Sequence, residues 1–341
     1  MTGLEAIKAL RAFMGGTPPD EELIHLLLSH GCGHLFPDRL PTEKLALNRM
    51  AVKERLRVCK DIFARIDFPY AVVKGAVLSQ RVHNDPFRRM SGDVDLLIRR
   101  QDADALKALL HAEGFIQGRI TEEGVVPFSR REILFQTAMS HQTAPYVKET
   151  GHPLCPYVNV DANMDILWGE SEARGDMDLV LAHTESANIL GTSLRRLTPE
   201  MEFIALCLHH YKDINSLYLL SKGGLRLKPF MDLYLYLKNV RPRADVICAL
   251  AEKLSVGAYL CVCLAQVNEI FSDEISEAYY QALLPYEQKE LNNALGLNAQ
   301  ERRSWDISLL ERLFHSDLPT HISSRLTTED KKKIELNSHF M

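Results

Sequence analysis

Residues 88–100 read RRMSGDVDLLIRR, and the reading of this stretch decides the fold. DVDLLI has the look of a strand entering a core, yet Asp93 and Asp95 stand at its start. Strand side chains alternate between faces, so two residues two apart share one. Two unpaired carboxylates that close repel, and one takes up a proton unless a cation lies between them. Two readings follow. Both acids are solvated at the strand entrance, Asp93 turning with Gly92, or the pair holds a hard divalent ion such as Mg²⁺, which prefers oxygen ligands and works with substrate phosphates.

The flanking sequence supplies context. In DFPYAVVKGAVLSQRVH (residues 67–83), YAVV reads as a short apolar strand, KG as a turn and AVLSQRVH as the start of a helix. A glycine there lets backbone approach a phosphate, and a helix N-terminus offers free N–H groups to it. Lys74 adds a point charge. Downstream, YVNVDANMDI (157–166) alternates as a strand, with Asn159, Asp161 and Asn163 on one face and Val158, Val160, Ala162 and Met164 on the other. Any sheet with one wet face shows such a stripe; alternatively, a third carboxylate beside the Asp pair would complete a two-metal site, with Asp161 as ligand and candidate general base.

The bulk properties exclude several classes. The chain has 341 residues, 46% hydrophobic and 25% charged, as in ordinary globular proteins. Its net charge of −5 gives no global field toward nucleic acid. No apolar run is long enough to span a bilayer and no basic-then-apolar leader opens the chain. Seven cysteines without a CxxC pair make a reducing, cytoplasmic location the expectation. His30, Cys32 and His34, in HGCGH, lack a second pair to complete a metal site.

The expected organisation is a helical segment over 1–66, a mixed α/β core over 67–175 and a helical domain over 176–341. Strands are expected near 115–119, 125–128, 132–137 and 141–147, and a loose polar tail at the end. The fold class is α+β, a small mixed sheet flanked by helical segments at both ends. Elsewhere, His209 and His210 sit mid-helix, read as one buried and one exposed. Asp232 interrupts an apolar helix face and calls for a partner such as Arg226, or shapes a pocket. His141 is divided between packing and site.

VVKGAVLSQRVHNDPFRRMSGDVDLLI (72–98) followed by VNVDANMDILW (158–168) resembles the DNA polymerase β-like nucleotidyltransferase superfamily. More closely it is similar to a bacterial family of uncharacterised nucleotidyltransferases, which share a Lys-Gly-small turn, a gDvDLL strand and a later vDlhW-like strand. The likeness extends through ELIHLLLSHGCGHLF, LCLHHYKD and LKPFMDLYLYL, over roughly residues 20–265. It implies Mg²⁺ ligation, two ions, by Asp93, Asp95 and Asp161. It implies phosphate contacts from Lys74, Gly75, Ser91 and Arg89. The activity implied is transfer of a nucleoside monophosphate from an NTP to a hydroxyl or phosphate acceptor with release of pyrophosphate. The acceptor is a small molecule, peptide or protein, or a tRNA end as in toxin relatives. The alternative is a degenerate member that binds nucleotide or a partner without catalysis. This chain departs from the pattern in three places. Gly75-Ala76 replaces Gly-Gly or Gly-Ser, the loop from Gly75 to Asp93 is long, and Asn163 stands where a His is common. Asp165 is a substitute candidate for the third acid.

Overall fold

The computed structural model describes residues 2–169 and 171–340. Two helices open the chain, α1 (Gly3–Met14) and α2 (Glu21–Ser29), N-capped by Thr2 and Asp20. There follow α3 (Thr42–Arg65), β1 (Tyr70–Val73), α4 (Gly75–His83), β2 (Val94–Ile98), α5 (Ala103–Ala112), β3 (Ile116–Thr121) and β4 (Gly124–Pro127). Next come α6 (Arg130–Met139), β5 (Tyr146–His152), β6 (Cys155–Asn163), α7 (Met177–Ala182), β7 (Thr184–Ile189) and β8 (Thr192–Leu197). The succeeding helices are α8 (Pro199–Asn215), α9 (Leu217–Gly223), α10 (Lys228–Val240), α11 (Ala244–Lys253), α12 (Gly257–Phe271) and α13 (Glu274–Leu283), and shorter elements lead to a last helix, Thr328–Phe340.

The chain forms two compact units. One is residues 37–202; the other joins residues 2–36 to 203–340. The first holds an eight-stranded mixed sheet in the order β4-β3-β5-β6-β2-β1-β8-β7. Its centre fixes the site: β1 runs antiparallel to β2, and β2 runs parallel to β6. Val94, Leu96 and Ile98 of β2 and Val158, Val160 and Ala162 of β6 are buried in one core cluster. Val52, Leu56, Cys59, Ile62 and Phe63 of α3 and Leu106 and Leu110 of α5 belong to the same cluster. The expected apolar stripe therefore faces helices, and the acids face the other way. By packing, α3 lies with the sheet, although the sequence reading grouped it with α1 and α2.

Three local expectations are corrected. Residues 132–137, expected as a strand, lie within α6. Its signal was a capping box, in which Ser129 accepts from the Glu132 N–H and Glu132 reaches back to the Ser129 N–H. The region after 176 is not helical throughout, because β7 and β8 form a hairpin there whose turn places Leu190 and Gly191 at positive φ. β8 pairs with β1 at Val72, a long-range parallel contact that local pattern does not announce. The polar tail is helical rather than loose.

In the second unit α10 and α12 carry the core. Phe230, Met231, Leu233, Tyr236, Leu237, Leu260, Cys263 and Leu264 are fully buried. Tyr234 stacks on Phe271 at 4.0 Å, and its hydroxyl donates to Asp273 Oδ2 at 2.6 Å. No described helix is long and apolar enough to cross a membrane.

Candidate active site

Strand register brings the acids together. Asp95 of β2 lies directly beside Asp161 of parallel β6, and Val73, the last residue of β1, lies opposite Asp95. Asp93 precedes β2 by one residue and shares the face of Asp95. One carboxylate oxygen from each of Asp93, Asp95 and Asp161 falls within 4.8 Å of the others, and these three could hold a metal ion. Among the described residues no other group of His, Cys, Asp and Glu does so.

The cluster is electrostatically expensive. Burial, and then the Asp95 charge, raise the Asp93 carboxyl above its usual range, while Lys74 and Arg55 oppose the shift. Asp161 is pushed up to about 7, chiefly by burial and then by Asp95 and Asp93. Its Oδ1 accepts a hydrogen bond from Asn159 Nδ2 at 3.3 Å, which works the other way. Three anionic groups that repel, offering only oxygen donors, form a set that suits a hard divalent cation.

Lys74 follows β1 and starts α4. Its Nζ lies 3.6 Å from Asp95 Oδ1. Its backbone is at φ 55° and ψ −145°, a left-handed conformation that costs a side-chain-bearing residue on the order of 1–3 kcal/mol. Gly75 follows at φ 44°. A Cβ at Gly75 would sit 3.4 Å from Ser91 Oγ, so the Ser91 hydroxyl adjoins the start of α4. No side chain caps that helix start. Arg89 is anchored through its backbone, its N–H donating to Ser79 Oγ at 2.9 Å. All seven residues singled out from the sequence, Lys74, Gly75, Arg89, Ser91, Asp93, Asp95 and Asp161, thus lie on the β1–α4 turn, on β2 with the loop before it, or on β6.

Other candidates have structural occupations. Asp165 Oδ1 accepts from the Leu167 N–H at 2.9 Å and the Gly175 N–H at 3.0 Å, clasping the loop after β6, and it stands apart from the three-aspartate group. The His141 carbonyl accepts from the Met164 N–H at 2.7 Å. His209, half-buried, pairs with Asp213 at 3.3 Å, while His210 is buried edge-on to Phe230. These two histidines and Asp232 belong to the helical unit. Asp232 is buried, and its charge bears on His210 and Cys32. In HGCGH, His30 Nδ1 accepts from the Leu227 N–H and Cys32 is buried with its thiol pushed up to about 12, first by burial.

Two further residues touch the cluster or the loop that leads into it. Asn163, buried, donates from Nδ2 to Asp95 Oδ1 at 3.4 Å and to the Leu96 carbonyl at 3.2 Å, and its Oδ1 accepts from Gln142 at 2.7 Å. Arg55 of α3, also buried, donates from Nη2 to the Ser91 carbonyl at 2.8 Å and from Nη1 to the Gly92 carbonyl at 3.2 Å. The sequence signal for Arg55 was present: Val52, Arg55, Leu56 and Cys59 fall at helical spacing on one stripe, and an arginine on a buried stripe needs a buried partner.

A strand, a tight Lys-Gly turn into a helix, an Asp-x-Asp strand and a third acid on the parallel neighbour make up the nucleotidyltransferase arrangement. The chain belongs to the family described as uncharacterised nucleotidyltransferase, whose model matches residues 41–272. It is also similar to the crystal structure of an antigenic nucleotidyltransferase-like protein from Paracoccidioides brasiliensis, with 15% identity and a TM-score of 0.34 over 65% of this chain and 98% of that one. That likeness is too distant to bear on this chain's chemistry. No curated protein matches the chain.

Proposed function

We propose that this protein transfers a nucleoside monophosphate from an NTP to an acceptor hydroxyl or phosphate, with Mg²⁺ at the aspartate cluster and pyrophosphate as the leaving group. The observation that carries the reading is the convergence of Asp93, Asp95 and Asp161 within 4.8 Å beside the uncapped start of α4. The three carboxylates would hold the ion or ions, which supply charge neutralisation at the phosphates and polarise the acceptor oxygen. Lys74, the backbone of Gly75 and the Ser91 hydroxyl take the triphosphate, with Arg89 supporting them. The bond formed joins the acceptor oxygen to the α-phosphorus. The bond broken joins that phosphorus to the bridging oxygen of pyrophosphate. The acceptor proton passes to a base, the role the family resemblance offers to Asp161.

The acceptor class is a small molecule, peptide, protein or tRNA end, and the setting is the reducing cytoplasm, in keeping with seven free cysteines. Isothermal titration with Mg²⁺ and each NTP, followed by pyrophosphate detection, tests the reading. Mg²⁺-dependent NTP binding lost in Asp93→Ala/Asp95→Ala is the expected result. Binding unchanged in that variant overturns the metal site, and binding without pyrophosphate release across acceptors points to a non-catalytic nucleotide-binding module.

A further inference from the structure

We propose that Arg55 is a positioning residue for the aspartate cluster, and that α3 is therefore part of the catalytic unit rather than a flanking helix. The proposal rests on the metal-site reading above. Arg55 lies at the edge of the stripe that packs α3 under the sheet, and it is only 7% exposed. Burying a guanidinium is costly unless its N–H groups are satisfied. This one spends two of them on successive carbonyls, those of Ser91 and Gly92. These peptides lead directly into Asp93, and the first belongs to the residue whose hydroxyl adjoins Gly75.

Loop anchoring alone does not account for the arrangement. The earlier part of the loop has its own ties: Ser79 Oγ donates to the Asp85 carbonyl, the Arg89 N–H donates to Ser79, and Asn48 donates to the Phe87 carbonyl. Arg55 donates to the carbonyls of the last two residues, where Gly92 would otherwise leave the peptide planes free to turn. A planar fork fixes two acceptors at once, which an ammonium on a flexible stem does not. Its positive charge also bears on Asp93, opposing the repulsion from Asp95. Independently, the family match begins at residue 41, one residue before α3, and leaves α1 and α2 outside.

The test is Mn²⁺ affinity, read by electron paramagnetic resonance on the full chain well below its melting temperature. Arg55→Lys keeps the charge and loses the fork. It should weaken Mn²⁺ binding about 10- to 100-fold, with melting close to wild type, while Arg57→Lys, an exposed neighbour paired with Glu54, leaves affinity unchanged. If Arg55→Lys does not fold, Arg55→Gln is read in the same way. Wild-type affinity in a folded Arg55 variant overturns the proposal. If the wild type binds Mn²⁺ no better than Asp93→Ala/Asp95→Ala, the metal-site reading itself has failed and the proposal falls with it.

Discussion

The two units treat ionisable groups in opposite ways. In the sheet unit three carboxylates crowd one face, and burial together with mutual repulsion raises two of them. In the helical unit burial holds His210 and Cys32 neutral, while buried Asp330 and Glu301 are each paired with a cation, Arg303 and Lys333. His210 is pushed down to about 3 by burial, against the pull of Asp232, and burial pushes the Cys32 thiol up to about 12. A core tolerates a buried ionisable group by keeping it uncharged or by pairing it. A cluster of like charges persists at a cost to the fold, and that cost is intelligible where a cation and phosphates are to be received.

The largest expected effect breaks the comparison directly. Asp93→Asn with Asp95→Asn removes the repulsion while keeping shape. Nucleotidyl transfer should fall by roughly a thousandfold or more, given the several kcal/mol of charge stabilisation a bound ion supplies. The melting temperature in the absence of divalent ions should stay level or rise; a fall would mean that the acids serve stability. Next is Lys74→Gly, which relieves the left-handed backbone at φ 55°. Thermal stability should rise while NTP affinity drops about tenfold or more, on the scale of a lost charged hydrogen bond. Unaltered nucleotide titration would remove Lys74 from the site.

In the helical unit the effect is acid sensitivity. A histidine whose folded value lies near 3, against 6.5 for the free side chain, takes up its proton more readily unfolded. Its contribution is complete above about 6.5 and lost as pH falls toward 3, by on the order of a few kcal/mol. His210→Gln should flatten that limb of a pH–denaturation series, and an unchanged slope would place the sensitivity elsewhere. The smallest effect is expected at the exposed pair of Arg243 and Asp245, 2.6 Å apart. Arg243→Ala should move the melting temperature by no more than about 2 °C, and a larger shift would show that exposed pairs in this unit matter.

The centre of the fold was legible because its signals are local. The alternation of VNVDAN, the Lys74-Gly75 turn and the spacing of Asp93 and Asp95 each fix a face or a turn within a few residues. Most of what was lost depends on distance in the chain. β8 is recruited by β1 across more than a hundred residues, while α6 was expected as a strand despite its local capping box. Arg55 reaches carbonyls 36 and 37 residues away, so its stripe position showed that it needed a partner without showing which. Asn163, a departure from the family pattern, gained a role only when strand register put Asp95 within its reach.

The central claim is that this cluster activates the α-phosphate of an NTP. Incubation of the wild type and the Asp93→Asn/Asp95→Asn variant with NTPs labelled at the α- or γ-phosphate, in a cell lysate with Mg²⁺, tests it most directly. The account predicts that α-label passes to a lysate component with wild-type protein only, and that γ-label leaves as pyrophosphate. Transfer of γ-label, or α-labelling that survives in the variant, would contradict it.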